Sequence, residues 1–164
     1  MTAERYARLS APFRGEKREK TLKLVNKTLT GLCYAAYPAL LLGLLLTRDG
    51  RVLRTLLVPG VSFVLLSLIR RGINAPRPYE VLNITPIIHK DTKGKSMPSR
   101  HVFSMFVIAM TFLWICPALG VVLLCFGAVL ACVRVVGGVH FPRDVIVGAG
   151  AGVLSGVLGY WLIP

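Results

Sequence analysis

Val133 to Asp144 reads Val-Arg-Val-Val-Gly-Gly-Val-His-Phe-Pro-Arg-Asp, which sets an arginine, two glycines, a histidine and a carboxylate between two long apolar runs. Arg134 would end the first run. Gly137-Gly138 lets the backbone turn sharply or approach a ligand closely, and Pro142 is placed to start a helix. If that helix begins near His140, Asp144 lies one turn along on the same face. A carboxylate there can orient the imidazole and raise its basicity, leaving the other ring nitrogen to attack phosphorus or take a proton. A helix cap with a simple salt bridge accounts for the same two residues taken alone. Charged groups are costly beside lipid, so their presence calls for a reason.

Two further clusters carry similar chemistry. Pro98-Ser99-Arg100-His101 precedes another apolar run. Proline suits a helix entry, serine can cap it, and the free N–H groups of a first turn attract an anion. A histidine at that point can protonate a leaving oxygen. Arg70-Arg71-Gly-Ile-Asn-Ala-Pro-Arg77-Pro78 offers guanidinium forks, which match phosphate oxygens bidentately and stay charged at any relevant pH. Arg70 and Arg71 alone fit interfacial anchors equally well.

The elements that must position these residues are membrane helices. The 164 residues, enough for one domain, are 54% hydrophobic with a mean hydropathy of +0.65, yet carry 20 Lys+Arg against 7 Asp+Glu. Charge and apolar residues are segregated, and the apolar runs have spanning length, about 20 residues each. The pattern predicts an all-α, polytopic helical bundle of about five spans: Thr28 to Leu46, Val52 to Ile69, Ser99 to Cys116, Ala118 to Val136 and Pro142 to Ile163. Pro59-Gly60 suggests a kink in the second. Residues 1–27 form a basic arm expected to lie on anionic headgroups, with Leu22 and Val25 toward lipid, and residues 28–164 form the membrane domain. Gly148, Gly152 and Gly156 recur every four residues, a spacing that lets another helix approach closely, in the same chain or in a homo-oligomer.

Five spans put the arm, the long Arg70–Met97 loop and the Arg134–Asp144 connector on one side. That side holds eight Lys/Arg in the arm and nine from Arg70 onward, 17 of the 20, which predicts a cytoplasmic face in the cell membrane. A net charge of +13 suits anionic lipid or a phosphorylated substrate; nucleic acid is excluded as a partner because no binding motif is present and the basic residues are interleaved with spans. Cys33, Cys116, Cys125 and Cys132 lack metal-site spacing and read as packing residues, so no metal is expected.

Together the clusters resemble the three signature motifs of the type 2 phosphatidic acid phosphatase (PAP2) superfamily, whose core is related to vanadium haloperoxidases. Those motifs are Lys-x6-Arg-Pro, Pro-Ser-Gly-His and Ser-Arg-x5-His-x3-Asp. Here they read Arg70-x6-Arg77-Pro78, Pro98-Ser99-Arg100-His101 and Val133-Arg134-x5-His140-x3-Asp144, across about residues 60–150. The resemblance implies a membrane lipid phosphatase, with no cofactor, acting on phosphatidic acid, phosphatidylglycerol phosphate or a polyprenyl phosphate or diphosphate. It further implies that Arg70, Arg77, Arg134, Ser99 and the backbone near Arg100 bind phosphate. His140 would then form a phosphohistidine, Asp144 would orient it, and His101 would protonate the departing alcohol and later activate water. Arg70 stands for the usual lysine, Arg100 for glycine and Val133 for serine, and the family commonly has six spans. A lipid phosphotransferase using the same site, or a non-catalytic anionic-lipid-binding protein, are the alternatives.

Overall fold

The computed structural model describes residues 1–163, whose regular secondary structure is all helical, with no strand among the described residues. Its helices are α1 (Ala3–Ser10), α2 (Glu16–Leu46), α3 (Val52–Ile73), the single turn α4 (Pro78–Val81), α5 (Arg100–Ile115), α6 (Pro117–Val136) and α7 (Pro142–Val157), which continues as a π-helical stretch over Leu158–Leu162. Four segments are long and apolar enough to cross a membrane: Glu16–Leu46, Val52–Val81, Pro117–Val136 and Pro142–Leu162. The fifth expected span, α5, has 16 residues, roughly 24 Å of helix. It is the axis of the bundle, packed against α2, α3, α6 and α7.

Burial follows that plan. Phe103, Met105, Val107, Ile108, Ala109 and Phe112 of α5 form the core with Leu29 and Cys33 of α2, Leu66 of α3, and Leu123 and Leu130 of α6. The outward faces remain apolar, for example Leu57, Val61, Val64 and Leu68 on α3 and Ile146 and Leu154 on α7. Apolar side chains on both faces of a helix belong to a bundle solvated by lipid.

Backbone groups freed inside the bundle find side-chain partners. Pro59 has no N–H for the Thr55 carbonyl, and that carbonyl accepts instead from the Tyr37 hydroxyl of α2 at 3.0 Å. In the π-helical stretch, the Gly159 carbonyl accepts from Arg54 Nε at 2.7 Å.

Two expectations for the N-terminal segment need correction. α2 starts at Glu16, so arm and first span are one continuous helix across residues 27 and 28. Leu22 is buried and Val25 packs on the core, although both were expected to face lipid. The reason is that α2 lies against α6, which covers that face.

The glycine repeat of α7 is occupied within the chain. A Cβ at Gly148 would come within 2.7 Å of the Ser99 carbonyl, and one at Gly152 within 2.8 Å of the Phe103 carbonyl, so α7 meets α5 nearly backbone to backbone. That stripe is therefore covered by α5 and is not free to mate with a second copy. Gly150, on the exposed face, has open space around its Cβ direction. Gly148→Val should lower the melting temperature in detergent, with overpacking costing about 1–3 kcal/mol, whereas Gly150→Ala should leave it level or raise it. Equal melting of the two variants would contradict this packing.

Candidate active site

His140 sits in a turn clamped from three sides. Gly138 holds φ at +77°, a left-handed value that favours glycine, and a Cβ there would lie 2.6 Å from the Tyr6 hydroxyl of α1. The Gly137 carbonyl accepts from the Ile88 N–H at 3.1 Å, and the Val139 carbonyl accepts from Arg77 Nη1 at 3.2 Å. α1 is held in turn by the long loop, whose Thr85 carbonyl accepts from Arg14 at 2.6 Å and from the Tyr6 hydroxyl at 3.4 Å. The imidazole is 1% exposed.

Asp144, wholly buried in the first turn of α7, accepts from the Phe141 N–H at 2.9 Å through Oδ2 and so caps its own helix. His140 lies before α7 rather than in its first turn, and Asp144 Oδ2 is 3.7 Å from His140 Nδ1, beyond hydrogen-bond range. Ser96 bridges the gap. Its hydroxyl donates to Asp144 Oδ2 at 2.5 Å and lies 3.3 Å from His140 Nδ1, so the carboxylate orients the ring through a serine. Ser96 stands two residues before Pro98, and nothing in its type or spacing marks it in the sequence.

The three clusters are tied together by main chain. The Ser99 N–H donates to the Asp144 carbonyl at 2.9 Å, locking the start of α5 to the start of α7. Arg70, in the last turn of α3, donates through Nη1 to the Pro98 carbonyl at 2.8 Å. Arg77 is buried and directs its guanidinium at backbone carbonyls of Gly94 and Lys95 as well as Val139, so it fastens the loop to the His140 turn. Arg100 is exposed; its guanidinium lies 5.9 Å from the Phe63 ring centroid and lines a cavity with Arg70 and Arg77. His101 is half-buried in the first turn of α5.

Arg134 is 3% exposed, and among the described residues its hydrogen-bond partner is Asn26 of α2, whose Oδ1 accepts from Nη1 at 3.3 Å. Nε and Nη2 are buried without a partner, as are Ser99 Oγ and Asp144 Oδ1. Leaving such groups unpaired costs about 1–3 kcal/mol each, more for charged ones. Two guanidinium donors and a hydroxyl with nothing to bind are what a tetrahedral oxyanion would satisfy. Asn26 is a second residue the sequence does not announce, because an asparagine in a basic helical arm has no pattern.

Electrostatics keep the imidazole neutral. Burial, reinforced by Arg134 and Arg77 and opposed by Asp144, pushes the His140 pKa down to about 3. With Asp144 and Ser96 on the Nδ1 side, the proton sits on Nδ1 and the lone pair on Nε2. Because the pKa is lowered, the neutral form persists as pH falls through the ordinary histidine range. Imidazole ¹⁵N shifts should show a neutral, Nδ1-protonated His140 from pH 7 down to 5, while an imidazolium at pH 6 in the ligand-free protein would contradict this environment.

The model of the PAP2 superfamily matches residues 51–164. The crystal structure of Aquifex aeolicus LpxE superposes with a TM-score of 0.74 at 23% identity, covering 96% of this chain and 93% of that one. The first transmembrane PAP2 type phosphatidylglycerolphosphate phosphatase from Bacillus subtilis superposes with a TM-score of 0.59 at 21% identity, covering 94% and 90%. At such identities the likeness is one of fold. No curated protein sequence matches the chain significantly. The family match takes in most of the chain, including every residue of the three clusters, and the chain belongs to the PAP2 superfamily.

Proposed function

We propose that the protein is a membrane lipid phosphatase that removes a phosphate through a phosphohistidine on His140. The observation that carries this reading is the set of buried, unpaired donors, Arg134 Nε and Nη2 with Ser99 Oγ, beside a neutral and buried imidazole. An anion is needed to satisfy the first, and a nucleophile is already present in the second. The Bacillus subtilis protein of similar fold is a phosphatidylglycerolphosphate phosphatase, which agrees with a lipid substrate here.

In the first half-reaction the His140 Nε2 lone pair attacks phosphorus and the P–O bond to the lipid breaks. The electron pair leaves on that oxygen, which takes a proton from His101, itself protonated by the monoanionic phosphate ester as it binds. The Nδ1 proton of the phosphorylated ring stays in hydrogen-bond reach of Ser96, so Asp144 offsets the positive charge that develops. In the second half, water attacks phosphorus, His101 takes its proton, and the P–N electron pair returns to Nε2. Arg70, Arg77 and Arg134 stabilise the equatorial oxygens, a task that positive side chains perform by electrostatic preorganisation.

A panel of phosphatidic acid, phosphatidylglycerol phosphate and polyprenyl phosphates, assayed in EDTA, tests this. Phosphate release should persist in EDTA, be inhibited by vanadate, and fall at least ~10³-fold in His140→Ala, in keeping with loss of a nucleophile. Activity abolished by EDTA, or retained in the variant, would sink the mechanism. The excess of Lys/Arg around the site supports a cytoplasmic orientation. With the four native cysteines replaced, Lys93→Cys should resist an impermeant thiol reagent in intact cells and react after lysis; ready labelling of intact cells would reverse the orientation.

A further inference from the structure

A groove of ≈ 730 Å³ runs down the outside of the bundle between α2 and α6, apart from the catalytic cluster. α2 contributes Arg18, Leu22 and Val25 to its walls, and α6 contributes Val129, Val133 and Val136. Both sets recur at i, i+4 and i+7, so each is one face of its helix, and the α6 face is turned away from the buried Arg134. Among the described residues, Arg18 is the one charged group in the lining. The depth of the groove is that of one leaflet. Asn26 of α2 meets Arg134 of α6, which sets the two helices in register. From that contact Arg18 lies about 12 Å outward along α2, and Val129 lies about 8 Å inward along α6. The groove thus covers about 20 Å, close to half a bilayer with its headgroup layer, with Arg18 at the headgroup end.

Charge marks the occupant. Both acids in the first turns of α2 are taken by other cations: Glu16 pairs with Lys20 at 2.7 Å, and Glu19 lies 3.7 Å from Arg14 and 4.0 Å from Lys23. Arg18 forms no ion pair among the described residues, and its Nη1 donates to the Pro12 carbonyl at 3.0 Å, which holds the guanidinium at the head of the groove. A guanidinium with no carboxylate, above an apolar slot of leaflet depth, fits a phosphate that carries an acyl chain. We infer that the groove binds an anionic phospholipid of the bilayer, with its phosphate on Arg18 and one acyl chain between α2 and α6, as a ligand separate from the substrate. That phosphate stands about 12 Å outward from the level of Arg134, so it is not the one His140 attacks. The lipid also reaches the N-terminal arm. Pro12 and Phe13 line the groove and directly follow α1, which sets Tyr6 against the Gly138 turn beside His140. A bound lipid therefore fastens α1 over the catalytic turn.

The full-length protein in neutral detergent micelles is titrated with phosphatidylglycerol and with phosphatidylcholine, and melting and amide hydrogen exchange are followed. Phosphatidylglycerol should raise the melting temperature at about tenfold lower concentration than phosphatidylcholine, and should slow exchange in Ala3–Ser10. Arg18→Gln should remove the tenfold preference, as expected for one lost charge-assisted contact. Cys132→Trp, at an exposed position in the groove, should weaken the response to both lipids, whereas Lys17→Gln, on the same helix as Arg18 but outside the groove, should change neither. Saturating orthophosphate, which competes for Arg70, Arg77 and Arg134, should leave the lipid's effect in place. An equal response to the two lipids, a preference kept by Arg18→Gln or lost equally in Lys17→Gln, a response unmoved by Cys132→Trp, or α1 exchange that the lipid does not slow would overturn the inference. An effect erased by orthophosphate would place the lipid in the active site and overturn it too. None of these measurements requires turnover.

Discussion

Three buried guanidinium groups with no carboxylate bound to any of them are the constraint on which the rest of this structure depends. Arg70, Arg77 and Arg134 are all nearly inaccessible, and Asp144, the one acid among the buried residues described, is engaged by Ser96 and the Phe141 N–H instead. An ion pair would be the ordinary way to bury an arginine. Here the charges are held by neutral dipoles: the Pro98 carbonyl for Arg70, two loop carbonyls and that of Val139 for Arg77, and the Asn26 amide for Arg134. Dipoles fix direction without cancelling charge. The site is left electropositive, with donors still free, which suits an anion that arrives and departs.

That arrangement explains features of the fold that would otherwise look separate. The backbone bond from Ser99 N–H to the Asp144 carbonyl and the close approach at Gly148 set α5 and α7 at a fixed distance, so the clusters of the two helices keep their register. Arg77 bonds both the loop and the carbonyl just before His140, and α1 plugs the Gly138 turn with Tyr6. Burial, reinforced by the same arginines that would bind phosphate, keeps His140 neutral and its Nε2 lone pair available.

Much of this was legible in the sequence because arginines, histidines and an aspartate between apolar runs are chemically conspicuous and lie at spacings the helix period converts into faces. The helix ends were legible too: Pro117 and Pro142 open α6 and α7 as their positions suggest. What escaped were residues whose contribution depends on tertiary placement. Ser96, Asn26 and Tyr6 are ordinary types at unpatterned positions, and only folding puts a serine between a carboxylate and an imidazole or an amide against a buried guanidinium. The length of α2 escaped because Lys and Glu in its first turns read as a surface arm, while Leu22 and Val25 packed against α6. The bounds of α5 match the expected run to within a residue at each end, and what escaped is that it is the central helix, with its apolar residues facing protein.

The account turns on a covalent intermediate at His140. Rapid quenching of the full-length protein with lipid labelled in its terminal phosphate measures this directly. The account predicts an acid-labile, alkali-stable label on the peptide containing His140, formed and lost at rates that match turnover and absent from His140→Ala. Turnover with no such label at any quench time, or a label on another residue, would contradict it.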